Sequence, residues 1–166
     1  MMAPSDDTKQ LRPGLWETIN ERYPGSMITK MDLIPLANLN KPLSSTRLTF
    51  VSSAGIQPKG TMPFDVVHPV GDFSFRRVPS ASKVADVEIH QIKYPTTGAL
   101  KDLNVIFPIE RLQELAEEGV IGGLTPNFFS FIGYQMDPER FDETLAEDIA
   151  EAVVAEGAEA ALLCPA

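Results

Sequence analysis

Residues 107–166 of this chain read helix, strand, helix, strand, and that order narrows the fold more than any other feature. In "FPIERLQELAEEG", Pro108 suits the first helical position and Ile109, Leu112, Leu115 and Ala116 share one face. Gly119 supplies a left-handed stop. An apolar strand follows around Phe128–Ile132 and ends in Gly133. In "DPERFDETLAEDIAEAVVAEG", Asp137 is a natural N-cap with Pro138 behind it, and Phe141, Leu145, Ile149 and Val153 recur every four residues. "AALLC" then gives an apolar run without alternation, the pattern of a strand buried on both faces. Strands separated by single helices form parallel sheets through right-handed crossovers. The expected fold is therefore α/β: an open, mainly parallel sheet with covering helices.

Upstream, "RLTFVSSAG" is the first clear strand, ended by Ser52-Ser53-Ala54-Gly55. Small residues after a strand either let backbone approach a ligand or simply turn the chain. "GDFSFRRVP" and "VADVEIHQIKY" alternate as strands or extended segments do. The first 46 residues differ in texture. Pro13, Pro24, Pro35 and Pro42 leave room only for short helices. They predict a proline-rich N-terminal arm over 1–46 that lays Trp16, Leu33, Ile34, Leu36 and Leu39 on an α/β domain of 47–166.

Length and charge then exclude whole classes. A chain of 166 residues can bury a real core as one domain. Its net charge of −9 argues against nucleic acid and anionic membranes as partners. One cysteine, Cys164, excludes an internal disulfide and a cysteine-rich zinc site, which fits a reducing cytoplasm. No apolar run approaches the roughly 20 residues a bilayer span needs. "MMAPSDDTKQ" lacks the basic and apolar regions of a signal peptide.

Motifs for phosphate or acyl chemistry are absent: there is no GxGxxG, no GxxxxGK[ST] and no Gly-x-Ser-x-Gly. His68 with Asp72, joined by His90 and Asp65, makes a weak metal signal and the basis of a metal-hydrolase reading. The carboxylates of the last helix, such as Glu143 and Glu147, read as a hydrated face. Arg76 could hold a substrate carboxylate through two parallel hydrogen bonds, or pair with Asp72 to fix a loop. Asn104 reads as a cap or turn residue. Cys164, inside an apolar strand, reads as packing; as a nucleophile it would label quickly with iodoacetamide.

"GDFSFRRVP", "DLNVIFPIERLQELAEEGVIG", "FSFIGY" and "EGAEAALLCPA", in this order and spacing, resemble the selenoprotein B family. These are the substrate-specific subunits of glycine, sarcosine and betaine reductases and the related subunit of D-proline reductase. The likeness covers about residues 47 to 166 and leaves out the arm. It implies reductive cleavage of a carbon–nitrogen bond in a small amino acid or amine, together with other reductase subunits. It implies no cofactor in this chain; a partner subunit carries a pyruvoyl group in the glycine and D-proline systems. The family's last strand is followed at once by selenocysteine or cysteine, which would be position 167. The expectation is that the recorded chain stops where a UGA codon was read as termination. The alternative is a non-catalytic ligand-binding or assembly subunit. Gly55, Asp72, Arg76, Tyr94 and Asn104 fall in shared blocks and are the candidate substrate-binding residues. The family often has a histidine three places before this tyrosine and an aspartate after it. Here those positions are Gln91 and Pro95, with His90 one place off and so on the other face of a strand. A homo-oligomer is expected if the last strand lies at an open sheet edge.

Overall fold

The computed structural model describes Glu21 and residues 37–166. The chain divides into two compact units, Met1–Ala37 and Asn38–Ala166, and the second carries the sheet. Most of the expected arm, including Trp16, Leu33, Ile34 and Leu36, lies outside the described residues. Leu39, expected on the core, is exposed.

The sheet is built on β1 (Arg47–Ser52). β2 (Ile56–Pro58) follows, then β3 (Phe75–Pro79) and β4 (Val87–Ile89). α1 (Ile109–Glu117) leads to β5 (Gly123–Leu124) and β6 (Asn127–Phe131). α2 runs through Pro138–Arg140, a π-helical stretch at Phe141–Ala146, and Glu147–Ala155. β7 (Ala160–Cys164) is last. β5 and β6 both lie along one side of β1, interrupted at Thr125-Pro126, and β7 lies along the other; all three run parallel to β1. β3 joins the far side of β6 antiparallel, and β2 pairs with β4 in a separate two-stranded ribbon. The sheet is thus mixed and mainly parallel, with helices on it.

Alternation along β1 sorts the core into two layers. Leu48 and Phe50 face one way, with Phe107, Ile109, Leu112 and Phe128. Val51 faces the other, with Phe129, Leu145, Ile149 and Ala152. α1 therefore covers one face and α2 the opposite one. Local rules set the helix ends. The Asp137 carboxylate accepts from the Arg140 N–H at 3.0 Å, and Pro138 stands at the first turn. Gly119 (φ +71°) and Gly157 (φ +72°) end α1 and α2 in the left-handed region.

β7 departs from expectation. It pairs with β1 alone among the described residues, so it is an edge strand rather than a strand buried on both faces. Leu162 is 43% and Leu163 69% exposed. Leu163 shares the α2 face with Val51, where α2 packs over Val51 and Phe129 and leaves β7's outer part bare; Leu162, paired with Phe50, is on the α1 face. An apolar trough of about 510 Å³ results, lined by Ile149, Ala150 and Val153 of α2 and by Ala161 and Leu163 of β7.

Phe50 is fully buried at the centre of the first layer. Phe50→Ala should cost about 3–5 kcal/mol, whereas Leu162→Ala at the exposed edge should cost under about 1 kcal/mol. Urea unfolding of both variants checks the contrast.

Candidate functional site

The connection from β1 passes over the α1 face, and the connection from β6 passes over the α2 face to reach β7. Adjacent strand ends whose connections part in this way leave a crevice between them, the usual ligand position in an open α/β sheet. Here those strand ends are Ser53–Gly55 and Ile132–Gly133, which meet in an antiparallel bridge between Ala54 and Ile132. The two loops are stitched backbone to backbone. The Gly55 N–H donates to the Phe131 carbonyl at 2.8 Å, and the Gly133 N–H donates to the Ser53 carbonyl at 3.1 Å. A Cβ at Gly133 would sit 3.0 Å from the Ser53 Cβ. Gly55 has φ +66°, and a Cβ there would lie 3.0 Å from the His90 carbonyl oxygen. Both glycines thus permit an approach that a side chain would block.

The end of β7 joins these strand ends. The Ser53 N–H donates to the Cys164 carbonyl at 3.4 Å, and the Ala166 N–H donates to Ser53 Oγ at 3.0 Å. Ser53 therefore ties the tail of β7 to the mouth between β1 and β6. Cys164 is half-buried, packs toward the α1-side core, and its thiol points at the Pro165 carbonyl at 3.6 Å.

Tyr94 belongs to the same place. Its hydroxyl donates to the Ala54 carbonyl at 2.9 Å, pinning the 92–95 loop on the end of β1. Burial pushes the phenol's pKa upward, so it remains a neutral donor. Asp72 is joined to the end of β6 through Gln135, whose Nε2 donates to the carbonyls of Asp72 (2.8 Å) and Ile132 (2.7 Å). Asp72 accepts from the Ser74 hydroxyl, from the Ser74 N–H at 2.9 Å and from the Asp65 N–H at 2.7 Å. Burial alone would raise its pKa, but these hydrogen bonds and the Arg76 charge outweigh it and hold the carboxyl below its usual range. Arg76 spends Nε on the Met62 carbonyl (3.2 Å) and Nη1 on Ser74 Oγ (2.8 Å), and stacks 4.1 Å from the Phe64 ring centre. With Nε and Nη1 both engaged, neither two-pronged edge of the guanidinium is intact.

Asn104 lies apart from these residues. Its Oδ1 accepts the Glu110 N–H at 3.2 Å and its Nδ2 donates to Asp102 and Glu110, so it fastens the start of α1. It lines a different, polar pocket of about 480 Å³ with Lys59, Glu88 and Lys101. No group of three His, Cys, Asp or Glu side chains converges among the described residues. His68 Nδ1 instead accepts the Val70 N–H at 3.4 Å.

Sequence reasoning missed Ser53 as the tether of the tail, and it missed Lys93. The Lys93 ammonium sits 4.2 Å from the ring centre of Tyr134, the residue after Gly133. Nothing local marked either one. A serine in a turn and a lysine in a loop acquire meaning only when distant strands meet.

These features define an α/β domain with the last strand's tail tied to the end of β1 at a strand-order reversal. Residues 20–166 match the family described as glycine/sarcosine/betaine reductase selenoprotein B, and the chain belongs to that family. Among curated relatives, the D-proline reductase subunit gamma of Acetoanaerobium sticklandii is 34% identical over 125 residues, which is 75% of this chain and 50% of the relative. The chain thus spans about half the length of that relative. No solved structure matches it. No helix among the described residues is long and apolar enough to cross a membrane.

Because the Asp72 carboxyl is held below its unfolded value, its contribution to stability is complete above that value, near pH 4. It is lost as pH falls through the lower folded value. Asp72→Asn should therefore melt below the unaltered protein at pH 7, and the gap should close as the pH falls below about 4. Thermal melts across pH 3–7 check this.

Proposed function

We propose that this chain acts as a selenoprotein B-type reductase subunit that cleaves a carbon–nitrogen bond reductively, with substrate in the crevice between the ends of β1 and β6. The single observation that carries this is the Ala166 N–H on Ser53 Oγ at 3.0 Å, which aims the tail of β7 at that crevice. In this reading position 167 bears the redox residue. Its selenolate or thiolate attacks carbon as the carbon–nitrogen bond breaks. The departing nitrogen keeps the electron pair and takes up a proton. A dithiol on a partner subunit then reduces the carbon–chalcogen bond, giving a C–H bond, the free chalcogen and a disulfide. Any pyruvoyl group belongs to a partner. The substrates named by the family and the relative, glycine, sarcosine, betaine and D-proline, share a carboxylate next to the carbon that bears nitrogen.

The nucleotide sequence tests the reading. Codon 167 should be TGA or a cysteine codon in an open frame that continues; TAA or TAG there overturns it and leaves the ligand-binding or assembly subunit. Cys164 should react with iodoacetamide far more slowly in the folded chain than after denaturation, and equal rates would give it the reactive role instead. The outer edge of β7, unpaired among the described residues, supports a homo-oligomer joined there. Light scattering should find a dimer that Leu163→Lys dissociates, and a monomeric unaltered chain rules that assembly out.

A further inference from the structure

The α2 face of the sheet is covered over its middle strands and bare over its last one. We propose that the apolar trough between α2 and β7 is the seat of an α-helix that follows Ala166 in the longer subunit and leads into a further parallel strand on the outer edge of β7. This rests on the reading above, in which the frame continues past codon 166.

Handedness decides the face. In the sheet, β1 stands between β6 and β7. The chain moves from β1 to β6 in one direction with α1 on one face, and from β6 to β7 in the other direction with α2 on the opposite face. Direction and face reverse together, so the two crossovers share one hand, which for parallel strands is the right hand. A strand added outside β7 continues the direction from β6 to β7. The same hand then lays its helix on the α2 face, where the trough is.

The trough has the chemistry of a helix seat. Ile149, Ala150 and Val153 of α2 form its wall, and Ala161 and Leu163 of β7 its floor. Val154, four residues beyond Ala150 and 73% exposed, prolongs the strip. Among the described residues no charged side chain lines it. A helix is about 10 Å across and strands stand about 4.8 Å apart, so one helix covers roughly two strands. α2 is taken up by β1 and β6, through Val51 and Phe129. A second copy paired at the edge of β7 would lengthen the sheet and leave the trough open, whereas a helix fills it.

Length agrees with this. The D-proline reductase subunit gamma has half its sequence outside the matched stretch, enough for more than one strand–helix–strand unit of roughly 30 residues. Ser53, Cys164 and Pro165 close the far end of the trough. The helix would therefore begin beside the tail of β7 and keep water from it on that side. In the longer subunit the added strand takes the edge at which copies of the 166-residue chain would join.

The reactivity of introduced thiols tests the proposal. Ala150→Cys on the wall and Ala161→Cys on the floor are made in the 166-residue chain and in the longer protein, read through with serine at codon 167. Labelling by a bulky maleimide is followed peptide by peptide. Both thiols should react quickly in the 166-residue chain and about tenfold or more slowly in the longer protein, because a covered position reacts only when the structure opens locally. Asp148→Cys, exposed on the other side of α2, should react alike in both. Equal rates for Ala150→Cys and Ala161→Cys in the two proteins overturn the proposal and leave residue 167 its role. Slow labelling already in the 166-residue chain means that a second copy or another part of this chain fills the trough, and overturns it too. A TAA or TAG at codon 167 overturns the reductase reading and this proposal together, so the gene and the labelling tell the two failures apart.

Discussion

Three phenylalanine rings hold the structure together. Phe50 of β1 meets Phe107 edge-on at 5.1 Å and Phe128 of β6 at 5.9 Å, and Phe107 meets Phe128 at 6.2 Å. All three are fully buried. Such T-shaped contacts add about 0.5–1.5 kcal/mol each to the gain from burial. Their greater effect is geometric. Phe107 lies just ahead of α1, so the cluster locks the approach to that helix onto two neighbouring strands. The Ile106 carbonyl is thereby brought to Ser52 Oγ at 3.3 Å. The floor of the candidate site, at the end of β1, is set by a hydrophobic contact one residue away.

Around that floor, small polar side chains do what larger ones could not. The Ala54 N–H donates to Ser52 Oγ at 3.2 Å, and the Ile56 N–H donates to Ser130 Oγ at 2.8 Å. Thr49, Thr125 and the Asn127 carbonyl share a buried network where Pro126 interrupts the ladder. Each bond satisfies a group that the end or break of a strand would orphan. Glycine and serine at the rim keep the backbone itself within reach of a ligand. Charged residues stand one shell farther out, in loops that Asp72 and Gln91 hold rigid.

What the sequence disclosed followed from locality. The caps at Asp137 and Gly119 and the helix faces of Leu112 and Leu145 obey rules spanning four residues. The parallel order followed from alternation of element types. β7 misled because an apolar run without alternation reads the same whether a helix covers it or not. The short span of β4, after the turn at Val84–Asp86, was hidden by alternation that promised more. The site was legible only in part. Gly55 and Tyr94 fell together, but Arg76's commitment to a carbonyl fourteen residues away and Lys93's seat on Tyr134 depend on pairings between separate loops.

An edge strand paired on one side only is free, in principle, to slide. A shift by two residues would keep every side chain on its own face. Yet β7 is pinned at both extremities. At its head, Glu159 exchanges hydrogen bonds with the Arg47 backbone, 2.8 Å to the carboxylate and 2.9 Å from its N–H, and meets Lys41 at 2.5 Å. At its foot, Ser53 grips the Ala166 amide. Slippage by one such step would carry that amide about 7 Å from the serine and break both anchors together. The placement of the tail is thus quantised, and the protein has chosen a single notch.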